Sequence, residues 1–554
     1  MMHFGFGRAD ISVFEPEMTM MGWGVRTNRA RGVGVPLHAR ALVLWDPAGG
    51  ERVALVSVET LIVTQGLWFG VLDALAESGP ELGLDARNTI LVATHTHSGP
   101  SGFGHHFWTN FNAPGFSQRV YDGLRDGIVA AIREAAGALQ PGRLRVARAT
   151  LPLSEGVAFN RSWFAYNRNA DVEPVSRERR DEATDRDMTV LRCDDLTGRT
   201  VGVMSWFALH GTSVHADHDR LHPDHKGLAA LALEAEGVAC VLAQECCGDV
   251  TPNYRWDSRR GHTIGRFDDD LESARFVADA QARQVRALLA AEGLPLGDRL
   301  QVAASFVDFG GALVDPRWSP TGRPQRTRPA RLGVSMALGT AEGPGPLLRA
   351  PWVARSLNAL AGGADALRAR LSRRYERRWD PKFPFLDLAR GRDGRLAGLL
   401  PMSLVPPLDP TFRWVRDAIR AGGVHAGPWV PQVVPLHVVR LGPLAIAALP
   451  FETTTVAGRR LRATLAAALP GVEHVVISPY ASAYVGYLTT FEEYQVQHYE
   501  AGYTLFGPFT LGAVRTAFEE LAHRVPARGL TGPPPPRVPV EPLTRIPFAT
   551  PWPY

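Results

Sequence analysis

Short apolar runs, each stopping at a residue capable of chemistry, set the tightest limit on how this chain folds. Runs at 52–57, 89–94, 200–209, 239–243, 444–449 and 475–477 have the length and β-branched content of buried strands. Helical periodicity appears at 116–138, 271–291, 456–468 and 511–523. Strands alternating with helices predict an α/β fold: central mixed β-sheets flanked by helices, with the active site at the strand ends.

The residues just past each strand carry the chemical information. The 89–94 run leads into His95-Thr96-His97-Ser98-Gly99-Pro100, and 200–209 delivers His210-Gly211-Thr212-Ser213. After 239–243 comes Gly248-Asp249-Val250-Thr251-Pro252-Asn253; after 444–449, Pro450-Phe451-Glu452. The 475–477 run precedes a turn holding Tyr480, Tyr484 and Tyr487. His95 and His97 are two apart, so on an extended backbone they point the same way. Neutral imidazoles are the commonest zinc ligands, and a carboxylate completes many catalytic zinc sites. An isolated His-x-His pair is weak evidence. With His210 and Glu452 added, the pattern suits a metal site and equally a set of unrelated polar residues after buried strands.

The bulk properties exclude more than they assign. A length of 554 residues with 45% apolar and 21% charged residues describes a folded chain with a large core. Lys and Arg number 60 against 56 acidic residues, a net charge of +4 that gives no reason to expect nucleic acid. The richest basic stretch, Arg368, Arg370, Arg373, Arg374, Arg377 and Arg378, reads as a solvated helix face. No apolar run is long enough to span a bilayer and no secretion signal is visible, so a cytoplasmic location is the default expectation. The four cysteines, Cys193, Cys240, Cys246 and Cys247, have neither zinc-ribbon spacing nor the density of a disulfide framework. Charge-dense 171–187 and Pro/Arg-rich 319–331 read as surface excursions, and no internal repeat is found. We divide the chain into a main folded region, 1–525, and a proline-rich tail, 526–554, extended along the surface.

Eight segments carry a resemblance to a known family. GFGRADIS at the N-terminus, ATHTHSGPSGF around His95, FNRS around Arg161, WFALHGTS around His210 and GDVTPN around Asp249 resemble motifs of the neutral, non-lysosomal ceramidases. LGTAEGPG at Glu342, LPFETTTVAGRRLR around Glu452 and YVGYLTTFEEYQVQHYEAGYTLFGP complete an ordered set running from Gly5 to Pro508. The resemblance implies a zinc amidase of sphingolipid metabolism that hydrolyses N-acylsphingosine to fatty acid and sphingosine. One zinc per chain would be held at His95, His210, Glu452 and Tyr487, with Tyr484 the neighbour easily confused with the last. The remaining polar residues carried over are His97, Arg161, Asp249, Thr251 and Tyr499. Zinc would polarise the carbonyl and acidify water, Asp249 or Glu452 would take the proton, and His97, Arg161 and Tyr499 would face the oxyanion. A lipid amide is the implied partner, with at most peripheral membrane contact, although relatives include secreted proteins.

Three features depart from the family pattern. Thr251 stands where the family's GDVSP motif carries a serine treated as catalytic, and its extra methyl stiffens the side chain. Phe451-Glu452-Thr453 replaces Gly-Glu-Phe. The C-terminal β-sandwich of characterised members is not expected here. Trp23, Phe103, Phe107, Trp108, Trp163 and Phe164 are candidates for an apolar groove. The departures keep two alternatives open: a zinc hydrolase of the same fold acting on another N-acyl compound or ester, and a non-catalytic lipid-binding relative.

Overall fold

Residues along each strand alternate between two destinations, and that alternation builds the fold. A computed structural model describes the chain apart from residues 26, 111–114, 345–378, 397–399, 405–415, 418, 423, 425–426, 528 and 541–554. The arginine-rich stretch and the end of the tail lie outside the described residues. The main sheet contains β1 (Met2–Asp10), β2 (His38–Asp46), β3 (Glu51–Val58), β4 (Thr89–Ala93), β5 (Gln140–Thr150), β6 (Asp187–Asp194), β7 (Thr200–Phe207) and β8 (Ala239–Gln244). Their order is β8-β7-β6-β5-β1-β2-β3-β4. The inner pairs are antiparallel, whereas β7–β8 and β3–β4 at the two edges are parallel, so the sheet is mixed. A second sheet, ordered β12-β11-β10-β9-β13, consists of β9 (Leu300–Asp308), β10 (Val433–Leu441), β11 (Leu444–Ala448), β12 (His474–Ser478) and β13 (Gly529–Thr531).

The two sheets share one core. Leu42 and Leu44 of β2 belong to it with Leu444 and Ile446 of β11, while Ala39, Ala41 and Val43 pack into the helical layer. That period-2 split is what a strand buried on both faces requires. The helical layer includes α1 (Gln65–Ser78), α2 (Gln118–Gly137), α3 (Asp224–Glu234), α4 (Asp270–Ala290), α5 (Thr455–Ala468) and α6 (Thr510–Arg524). Thr64 caps α1 and Ser117 caps α2, each side-chain oxygen accepting an orphan N–H of the first turn. Every strand and helix expected from the sequence is present, with ends shifted by no more than two residues. The 171–186 stretch forms turns but buries Val175, Ala183 and Asp185, so it is less superficial than its charge suggested. After α6 the chain adds β13 to the second sheet in parallel with β9, and Arg537 then bonds to Asp73 of α1 at 2.8 Å. Among the described residues there is no separate C-terminal sandwich domain and no helix long and apolar enough to cross a membrane.

The glycines of the GFGRADIS segment have a packing reason. A Cβ on Gly5 would fall 2.0 Å from Ala135 O of α2, and one on Gly7 2.2 Å from Ala131 O. Helix and strand touch through backbone here, leaving no room for a side chain. We expect Gly7→Val to lower the unfolding free energy by at least about 1–3 kcal/mol in urea titration. An unchanged denaturation midpoint would show that the helix can shift to accept the side chain.

Candidate metal centre

Four turns at the ends of the strands converge above the sheets. After β4 the chain bends at His95, whose φ of +66° is left-handed, a conformation costing a non-glycine residue about 1–3 kcal/mol. Its N–H bonds to Thr60 O at 3.0 Å, and its ring stacks on Tyr480, itself at φ +59°, with centroids 4.2 Å apart. The turn after β7 places His210 alongside. Gly211 lets the two turns touch, because a Cβ there would lie 2.3 Å from His95 O. Beyond β11, the two-residue strand Glu452–Thr453 pairs in parallel with Tyr487–Leu488, so Glu452 and Tyr487 are direct neighbours.

The hydrogen bonds decide what these side chains offer. His95 Nδ1 faces Leu61 O at 2.7 Å and His210 Nδ1 faces Cys247 O at 2.9 Å. A carbonyl only accepts, so both Nδ1 atoms carry the proton and, in neutral imidazoles, both Nε2 atoms present lone pairs. Those two nitrogens lie 3.0 Å apart, with Glu452 Oε2 at 3.3 Å from His95 and 3.5 Å from His210. Three electron-rich atoms this close repel one another unless they share a cation. Ligands on bonds of about 2.0–2.1 Å in tetrahedral geometry stand about 3.3 Å apart, so the donor set fits a metal ion. His97 Nε2 is a further nitrogen 3.4 Å from His95 Nε2, and His95, His97 and His210 together could hold a metal.

Electrostatics point the same way. Burial, joined by the Arg161 charge and the other imidazoles, holds His210 and His97 well below the ordinary histidine range, keeping both neutral. Burial alone would push the Glu452 carboxyl up. A positive charge on the His95 side, which a bound ion would supply beside the neutral imidazole, and the hydroxyls of Tyr484 and Tyr487 outweigh it and leave the group below the usual carboxylate value. Tyr484 donates to Glu452 Oε1, and Tyr480 to Oε2 at 3.3 Å.

The residues singled out in the sequence do not all occupy the same place. His95, His97, His210, Arg161, Glu452, Tyr487 and Tyr499 line one cavity of about 190 Å³. Met21, Trp23, Leu61, Ile62, Trp108 and Met336 give it apolar walls. Phe103 and Phe107 are instead buried in the core, and Trp163 and Phe164 are not on the lining. Asp249 and Thr251 do not line this cavity either. Asp249 Oδ1 accepts from the Thr455 N–H and hydroxyl, both at 2.8 Å, and Oδ2 from Asn160 at 2.7 Å. Thr251 Oγ1 donates to Glu342 at 2.5 Å.

Four further residues matter and were not singled out for the site. Glu342 and Glu500 flank Arg161 at 2.7 and 2.9 Å, in an ion-pair cluster buried to at least 95%. Tyr484 holds the Glu452 carboxylate. His215, also on the cavity wall, faces Asp270 Oδ2 at 3.0 Å and Thr263 O at 3.1 Å. Two acceptors require two ring protons, and although burial opposes the charge, Asp270 raises the His215 pKa. The resulting cation stacks between Trp23, at 5.1 Å, and His262, at 4.5 Å.

Comparison with known proteins gives a consistent result. The model for the N-terminal region of neutral/alkaline non-lysosomal ceramidases matches residues 2–356 and 418–516. The neutral ceramidase of Pseudomonas aeruginosa is 32% identical over 530 residues, which cover 94% of this chain and 71% of that protein. The neutral ceramidase of Mycobacterium tuberculosis is 30% identical, over 94% of this chain and 77% of its own. The crystal structure of the Pseudomonas aeruginosa neutral ceramidase superposes with a TM-score of 0.75 at 28% identity, covering 97% of this chain and 76% of that one. A ceramidase complexed with C2 gives 0.75 at 29% identity, over 98% and 76%.

Proposed function

Because this chain belongs to the neutral/alkaline non-lysosomal ceramidase family, we propose that it is a zinc-dependent amidase cleaving an N-acylsphingosine or a close lipid amide. The products are a fatty acid and a free amine. The observation that carries the reading is the pair of imidazole lone pairs 3.0 Å apart, with the Glu452 carboxylate against both. His95, His210, Glu452 and Tyr487 would hold the zinc.

When bound, zinc polarises the amide carbonyl and brings the pKa of a water toward neutrality. The chain's own groups do the rest. Glu452 is the carboxylate on the cavity wall suited to take a proton from the attacking water and return it to the leaving amine. Glu342 also reaches the lining, but Arg161, Thr212, Thr251 and Asn253 already occupy its oxygens. His97 and Tyr499, both on the cavity wall, would donate to the carbonyl oxygen as it gains charge. Arg161 commits four of its five N–H groups to Glu342, Glu500, Gly248 O and Tyr487, so it orients Tyr487. The apolar walls would seat an acyl chain and exclude water from the amide.

The test is zinc-loaded protein incubated with N-acylsphingosines, N-acyl amino acids and fatty-acid esters, tracking release of amine or alcohol. The expected result is turnover on N-acylsphingosine at least about tenfold above the other classes in kcat/KM, a difference of about 1.4 kcal/mol. Faster turnover of another class would replace the substrate while leaving the amidase. No turnover with zinc bound in stoichiometric amount would leave only a binding protein.

A further inference from the structure

Thr251 sits at the far end of a hydrogen-bonded chain that ends on Tyr487. Its two-residue strand, Val250–Thr251, pairs with Phe159–Asn160 and so runs beside Arg161. The hydroxyl donates to Glu342 Oε1 at 2.5 Å and accepts the Asn253 N–H at 3.0 Å, so its only proton is committed to Glu342. Thr212 Oγ1, at 2.8 Å, and Asn253 Nδ2, at 3.0 Å, donate to the same Glu342 oxygen. The other oxygen takes Arg161 NH1 at 2.7 Å.

Arg161 is held from three sides. Glu342 binds one amino group, Glu500 accepts from Nε at 2.9 Å, and Gly248 O accepts from the second amino group at 2.9 Å. That second amino group also donates to Tyr487 Oη at 2.9 Å. With the guanidinium plane fixed by Glu342 and Glu500, the direction of this last bond is fixed too. Burial would push the Glu342 carboxyl up, but Arg161 and the Thr251 hydroxyl outweigh it and keep the carboxylate charged.

We propose that Thr251 is a positioning residue, which fixes Glu342 and through it the angle at which Arg161 meets Tyr487, without touching the reacting atoms. The inference rests on the reading of Tyr487 as a metal ligand. It distinguishes a hydroxyl acting on the metal centre from one acting on the substrate. The first kind changes how the metal is held; the second changes turnover alone.

The experiment uses the full chain as Thr251→Ser, Thr251→Val, Glu342→Gln and the Thr251→Val/Glu342→Gln double variant. Zinc affinity is measured by chelator competition, and copper(II)-loaded protein reports tyrosine ligation through its phenolate-to-metal absorption band. Thr251→Val should weaken zinc binding by about 10–100-fold and shift the copper band, with KM unchanged; Thr251→Ser should keep both signals. Glu342→Gln should reproduce the shift, and adding Thr251→Val to it should change little more, since both act through one link. Loss of turnover in Thr251→Val with zinc affinity and copper band unmoved would overturn the proposal, as would full additivity in the double variant. A parent protein that binds zinc but shows no phenolate band would instead refute Tyr487 as a ligand, and the proposal would fall with that reading.

Discussion

His95→Ala and His210→Ala should each purify as folded protein, carry no stoichiometric metal, and lose about 10³-fold or more of the parent's amide hydrolysis. Removing a single oxyanion donor typically costs about 10²–10³ in rate, and losing the ion removes both carbonyl polarisation and the acidified water. Folding should survive because the core between the sheets is made by residues such as Leu42, Leu44, Leu444 and Ile446, below the turns that carry the histidines. Alanine also relieves the lone-pair repulsion that an empty site would contain. Elemental analysis, circular dichroism and the amine-release assay read the three parts separately. Metal retained at parental level in both variants would remove the central claim.

Arg161→Met should be the most destabilising single change in the site, by about 3–5 kcal/mol near neutral pH. It leaves Glu342 and Glu500 as buried carboxylates with no cation between them, the costly way to break an internal ion pair. The pH dependence is set by the sign of the shifts. In the parent, burial raises the Glu500 carboxyl, but His498 and Arg161 outweigh it and bring it down to about 2. Its contribution is therefore present above the unfolded carboxyl value and fades only as the pH falls toward about 2. In the variant the Arg161 charge is gone, burial raises both folded carboxyls relative to the parent although His498 still faces Glu500, and the deficit should shrink as the pH is lowered. Denaturation at about pH 8 and about pH 5 should thus give a larger loss at the higher pH. An equal loss at both would assign the effect to packing. Adding Glu342→Gln should recover part of the stability but not the activity.

The strands ending at His95, His210 and Glu452 were legible because each is an apolar run with a polar stop. Others were not. β1 reads MHFGFGRAD, and Gly5 and Gly7, present so that α2 can approach, erase the strand signal. β5 buries Leu144 and Val146 but interleaves them with arginines and carries Pro141 and Gly142 right after its first residue. The pairing that sets Glu452 beside Tyr487 is two residues long, too short to leave a period. Spacing alone does not separate Tyr484 from Tyr487; in the fold one donates to Glu452 and the other accepts from Arg161. Glu342 and Glu500 stand 181 and 339 residues from the Arg161 they flank, and no local pattern announces such a pairing. Asp249 shows the converse. Its place after a strand suggested chemistry, yet both its oxygens tie Thr455 and Asn160 to the turn.

The spread of the site along the chain bears on how the protein matures. Two histidines whose ring nitrogens nearly touch are 115 residues apart, and Tyr487 lies later still. Loop-closure entropy on that scale is met only by the completed pair of sheets, so a nascent chain still short of Tyr487 on the ribosome has no pocket for an ion. A bound ion would then enter last and act as a latch, adding stability in proportion to the logarithm of its free concentration over the dissociation constant. Starvation for metal would then be felt as shorter lifetime under heat or protease attack, on the finished enzyme and not on its assembly.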